Sequence, residues 1–157
     1  MQHKFTHLPK SGAIPTRGTW LLVQGDEDHL KRQLVERLRA QLLEAEDEFN
    51  LDQLDAAERW EGVVETAEQS KRERLPTRAE KILGMAQALP FLGGGRLVIV
   101  RNADLLTPEQ QKRLAKGLNT VPPMNHVLLV TGDGGAARKA TKPAAELLKG
   151  IAEIGSI

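Results

Sequence analysis

The sequence predicts a three-layer α/β domain with a mostly parallel five-stranded sheet. Two kinds of segment predict it. Residues 19–24 and 97–100 are short apolar runs without polar alternation, as in strands covered on both faces. Between such runs lie stretches whose apolar positions recur at helical spacing, as in Leu30, Leu34, Leu38 and Leu42. Strands that alternate with helices build parallel βαβ units with helices on both faces.

In chain order, residues 1–18 are polar, hold Pro9, Gly12 and Pro15, and read as a loose lead-in to a domain at 19–157. Residues 19–24 form the first strand. Asp26 or Asp28 caps a helix over 27–45, with Val35 beside its leucine stripe. Residues 49–54 alternate and read as a second strand at a sheet edge. Residues 56–78 mix Arg59, Lys71, Arg72, Arg74 and Arg78 with Glu58, Glu61, Glu65, Glu68 and Glu73, and part of them reads as an insertion. Thr77 caps a helix over 78–88 that aligns Ile82, Met85 and Leu89. A third strand spans 96–101. Thr107, Pro108 and Gln110 make a strong helix start, with threonine at the cap, proline at the first position and glutamine at the third. That helix ends at Gly117 or Asn119. Pro122 and Pro123 force an extended link to a fourth strand over 126–131. A glycine-rich loop over 132–140, a helix over 141–149 and a fifth strand over 151–154 complete the expectation.

Composition sets limits. The 157 residues are 40% hydrophobic and 27% charged, ordinary for a globular domain. Aromatics are only 3%, so the core must be aliphatic. A net charge of +1 gives no overall attraction to DNA or an acidic membrane. There is no cysteine, hence no disulfide and no thiolate chemistry, in keeping with a cytoplasmic protein. No apolar run approaches the ~18 residues of a membrane span, and residues 1–10 lack the apolar core of a secretory signal.

The most telling stretch is residues 87–104. Leu89-Pro-Phe-Leu92 sets three large apolar side chains between a helix end and Gly93-Gly-Gly95. Pro90 ends the helix, because the residue before a proline is pushed out of the α region. The glycines free the backbone to turn. Arg96 then leads a strand that ends Val100-Arg-Asn-Ala-Asp104. This stretch resembles the N-terminal domain of the DNA polymerase III delta subunit family, clamp-loader subunits that open the bacterial sliding clamp. The family signature is a helix, Leu-Pro-Phe-Phe-Gly, and an arginine-led strand ending Val-Arg-Asn-Ala-Asp. Here Leu92 replaces the second phenylalanine, and Gly95 stands where the family often has a charged residue. The Phe49-Asn-Leu-Asp52 pattern also occurs in that family.

The resemblance implies a P-loop NTPase-like domain of the AAA+ type with a degenerate nucleotide site, as the N-terminal piece of a longer subunit. It implies that Leu89, Pro90, Phe91 and Leu92 plug a hydrophobic pocket on the beta sliding clamp. Other clamp-loader subunits (gamma/tau and delta prime) are the further partners, and DNA is met only through the assembled loader. It implies no catalysis by this domain itself, although the holoenzyme is a DNA-directed DNA polymerase, and a place in the cytoplasmic, nucleoid-associated replisome. Burying an exposed Leu or Phe gains about 1.5–3 kcal/mol, so these side chains could form an interface's central contact. The competing expectation is that they fold back over the helix end. Gly93, Gly94 and Gly95 predict a mobile tip, with an ordering cost on binding.

Other chemistry is weaker. A P-loop needs GxxxxGK[ST]; after the first strand the chain instead has Gly25 and then Asp26, Glu27 and Asp28, whose carboxylates occupy the helix start and would repel a triphosphate. No ATP binding is expected, and an NTPase or nucleotide-binding domain is the rival reading. Asp104 follows the third strand but lacks a second carboxylate, and reads as a turn residue. Thr131 has the place of a phosphate sensor with nothing to sense. Lys71, Arg72, Arg74, Arg78 and Lys81 read as a solvated helix face, since acids interleave and no aromatic is there to stack. Arg138, Lys139 and Lys142 are a candidate phosphate or DNA contact, which keeps a DNA-binding module as a third reading. His3, His7, His29 and His126 are scattered, so no metal site is expected, and no cofactor. Ser11, Ser70 and Ser156 lie in no nucleophile motif.

Overall fold

The computed structural model describes residues 20–23, 28–43, 48–91 and 94–132. Four strands, β1 (Trp20–Val23), β2 (Leu51–Asp55), β3 (Leu97–Arg101) and β4 (His126–Val130), form one parallel sheet in the order β1-β4-β3-β2. The described sheet thus has four strands rather than five. The expected fifth strand at 151–154 lies outside the described residues, as do the lead-in, the helix at 141–149 and most of the loop before it.

The order fixes the layers. The chain crosses from β1 past two strands to β2, then steps back one strand at a time. With right-handed crossovers, that reversal sends the connections to opposite faces. Helix α1 (Asp28–Leu42) covers Leu97, Ile99, Leu128 and Val130 with Leu34, Val35 and Leu38. Helices α3 (Arg78–Gln87) and α4 (Pro108–Gly117) cover Val98, Val100, Val127 and Leu129 with Ile82, Leu83, Ala86 and Leu114. Central strands covered on both faces need no polar alternation, and β3 and β4 have none.

Between β2 and α3, a short helix α2 (Ala67–Glu73) is capped by Thr66 and buries no residue. Arg78 organises the loop before it. Its guanidinium lies 4.8 Å over the Trp60 ring, donates to the carbonyls of Ala56 and Glu58 at 2.7 and 2.9 Å, and pairs with Glu65. Arg78 is therefore not part of a solvated basic face, as its place in the run of cations suggested. A guanidinium that both stacks and forks is the group suited to this.

Two other expectations change. Residues 48–50 form a 3₁₀ turn and β2 begins at Leu51, so Phe49 lies outside the ladder. Alternation marked this stretch as strand, whereas Asn50 sits in the turn with its side chain bonded to the Phe91 backbone instead of in the ladder. At α4, Thr107 caps as expected, accepting from the Gln110 amide at 3.3 Å. The Gln110 side chain does not return to the cap; it is buried and accepts from the Ala79 amide at 2.9 Å, joining the start of α4 to that of α3.

Helix α4 passes so close to α3 that a Cβ on Gly117 would overlap the Leu83 methyls, whereas a Cβ on exposed Gly84 meets nothing. Gly117→Ala should cost about 1–3 kcal/mol by overpacking. Gly84→Ala should stabilise by about 0.5–1 kcal/mol through helix propensity. Urea unfolding of both variants checks this; shifts of the same sign would contradict the packing described.

Candidate functional site

Helix α3 stops at Gln87, and the Ala88 amide closes the last turn onto the Met85 carbonyl. The chain then crosses the amino end of β3. This strand lies between β2 and β4, and the residue just before each of those neighbours is an asparagine. Both asparagines reach inward to the crossing chain. Asn50 accepts from the Phe91 amide at 2.6 Å and donates to the Phe91 carbonyl at 2.9 Å. The pair of bonds copies the exchange that two strand residues make. Asn125 donates to the carbonyls of Ala86 and Ala88, both at 2.8 Å, and accepts from the Arg96 amide at 3.0 Å. Both carboxamides are fully buried. The turn therefore has its backbone satisfied by side chains at its middle and both feet, without helix or strand.

With the backbone held from below, the side chains face out. Leu89 is 80% exposed and Phe91 55%. They do not fold back over the helix end. Phe49, 78% exposed, sets its ring 5.7 Å from that of Phe91 at a tilt of 46°, inside the range where aromatic pairs attract. Half-exposed Met124 belongs to the same end: its carbonyl lies so close to Gly95 that a Cβ there would overlap it. Of the six large apolar side chains exposed among the described residues, these four lie at the amino ends of the strands. The other two, Leu75 before α3 and Leu105 after β3, lie at the opposite end. Isolated exposed leucines are ordinary, whereas exposed apolar side chains gathered at one end of a sheet make a candidate interaction surface. Pro90 is half-buried in the turn; Leu92 lies outside the described residues. Phe91 and Arg96, on either side of the glycines, are each tied to a buried carboxamide. Gly94 does take the left-handed backbone the turn needs, at φ 75°.

At the carboxyl ends of the strands, where open α/β sheets usually bind ligands, several described polar side chains bond to the chain's own backbone and side chains. Buried Lys31 of α1 donates to the carbonyls of Thr131 and Gly132 at 3.2 and 2.9 Å, with the Asp28 carboxylate 3.5 Å away. Buried Asp104 accepts from the Gly132 amide at 2.6 Å. Asn102, at φ 55°, donates to the Asp55 carboxylate at 2.7 Å. Asp104 and Thr131, weighed in the sequence as a turn acid and a phosphate sensor, both lie at this end: Asp104 holds the Gly132 amide, and the Thr131 carbonyl accepts from Lys31. Among the described residues no three His, Asp or Glu side chains gather as a metal-binding set, and no helix is long and apolar enough to cross a membrane. Asp26 and Glu27, and the candidate phosphate contacts Arg138, Lys139 and Lys142, lie outside the described residues.

No protein-family model matches the chain, and no curated protein matches its sequence.

Sequence reasoning singled out Leu89, Pro90 and Phe91, of which Leu89 and Phe91 are exposed, but did not point to Phe49, Met124 or the two asparagines. The one signal for the asparagines is position, since each immediately precedes a strand.

Two measurements check the site. Asn125→Ala leaves three backbone groups of the turn without their partner and should cost about 2–4 kcal/mol in urea unfolding; a loss under about 0.5 kcal/mol would contradict the tie. Half-buried His126, at the start of β4, is held below its ordinary value of 6.5 by burial, which disfavours the charged ring. Its neutral form is the one the fold favours, so this contribution is present above 6.5 and is lost as pH falls through the lowered folded value. His126→Gln should therefore flatten the decline in stability as pH falls below 6.5; an unchanged slope would contradict it.

Proposed function

We propose that this chain is the N-terminal, AAA+-like domain of a DNA polymerase III delta subunit, and that it docks on the beta sliding clamp through Leu89, Pro90, Phe91 and Leu92. One observation carries the reading: Leu89 and Phe91 stand exposed on a backbone that buried side chains hold in place. A fold that needed these residues for its own core would have turned them inward. The resemblance of residues 87–104 to the family supplies the identity of the partner.

The mechanism proposed is mechanical. The apolar knuckle enters a hydrophobic pocket on the clamp near a subunit interface and favours a clamp shape that does not close. It can bias opening only by binding the open shape more tightly than the closed one. ATP hydrolysis belongs to partner subunits, gamma/tau and delta prime among them, and DNA contact to the assembled loader in the bacterial cytoplasm. The internal use of Lys31, Asp104 and Thr131 by the chain supports a domain that works without its own nucleotide.

The test is calorimetry with purified clamp. Replacing Leu89 and Phe91 by serine should weaken binding at least about 100-fold, since each buried apolar side chain contributes about 1.5–3 kcal/mol. Unchanged affinity in a still-folded variant rejects the reading.

A further inference from the structure

We infer that Asn50 is a positioning residue for this docking surface and that Phe49 is part of the surface itself, an assignment that rests on the clamp reading above. Burying a carboxamide is unfavourable unless its bonds are made. Asn50 is fully buried, and both its amide nitrogen and its oxygen bond the backbone of one residue, Phe91, whose ring faces solvent. Asn125 already ties the two feet of the turn to β4 and α3. What Asn50 adds is the orientation of the exposed ring. The same 3₁₀ turn that delivers Asn50 inward delivers Phe49 outward, beside the Phe91 ring. Neither Phe49 nor Asn50 belongs to the ladder of β2.

The consequence is preorganisation. A turn fixed before docking does not lose its freedom on docking, and the partner meets a ready shape. Two tilted aromatic rings plus Leu89 also define the pocket that fits them: apolar, and wide enough for a ring pair rather than one side chain. Aromatic anchors of this kind dominate interface energies when a partner encloses them.

A double-mutant cycle on clamp affinity separates positioning from general stability. Asn50→Ala should weaken clamp binding about tenfold in the native background and leave it unchanged in a Phe91→Ala background, because Asn50 acts through Phe91. The Phe91 amide should also exchange with solvent at least about tenfold faster in free Asn50→Ala. An equal loss in both backgrounds, or full-strength binding by Asn50→Ala beside a weakened Phe91→Ala, overturns this inference and leaves the clamp reading standing. Full-strength binding by Phe91→Ala overturns both. Asn50→Asp, which keeps the oxygen facing the Phe91 amide, serves if Asn50→Ala does not fold, with the same outcomes. Phe49→Ala, at an exposed position outside the strands, should weaken binding about tenfold; unchanged affinity removes Phe49 from the surface.

Discussion

Two buried carboxamides hold a turn whose side chains point away from the protein, and the arrangement of this end of the molecule depends on them. A turn that carries large apolar residues into water has no core contact to fix it. Its backbone must be fixed from beneath, by groups that accept and donate at fixed points. Asn50 and Asn125 do this from the two strands that flank β3. Asparagine suits the task, since one carboxamide both donates and accepts, as a peptide does. Gly95 completes the geometry by letting the chain pass against the Met124 carbonyl.

The two ends of the parallel sheet differ in what they do with their polar groups. At the carboxyl ends, the lysine of α1 and the acid after β3 bind the backbone leaving β4. At the amino ends, polar groups are buried below and apolar ones are displayed above. In most α/β proteins the carboxyl end is the reactive one. Here most of the large apolar side chains exposed among the described residues lie at the other end.

Much of this was legible in the sequence. β3 and β4 were plain because unbroken apolar runs are what a doubly covered strand requires, and the caps at Thr77 and Thr107 because a hydroxyl before a helix has one main use. The sharp helix end at Pro90 was equally direct. What could not be read were side chains that act across the fold. Asn50 sat in an alternating stretch that looked like strand, and only its bond to Phe91, 41 residues on, shows otherwise. Lys31, which the leucine stripe of α1 does nothing to single out, reaches carbonyls at the end of β4. Arg78 looked like one cation of a charged run, and Gln110 like half of a capping box. Each is a polar side chain whose partner lies far along the chain, and periodicity carries no information about such pairs.

The central claim is that the amino end of the sheet, through Phe91, is the surface a sliding clamp grips. Its most direct test is photo-crosslinking with purified clamp, placing a benzophenone side chain at Phe91 in one protein and at Leu105, exposed at the opposite end, in another. The account predicts a crosslink from position 91 that maps into an apolar pocket of the clamp, and none from position 105. Crosslinking from position 105 with none from 91 would contradict it.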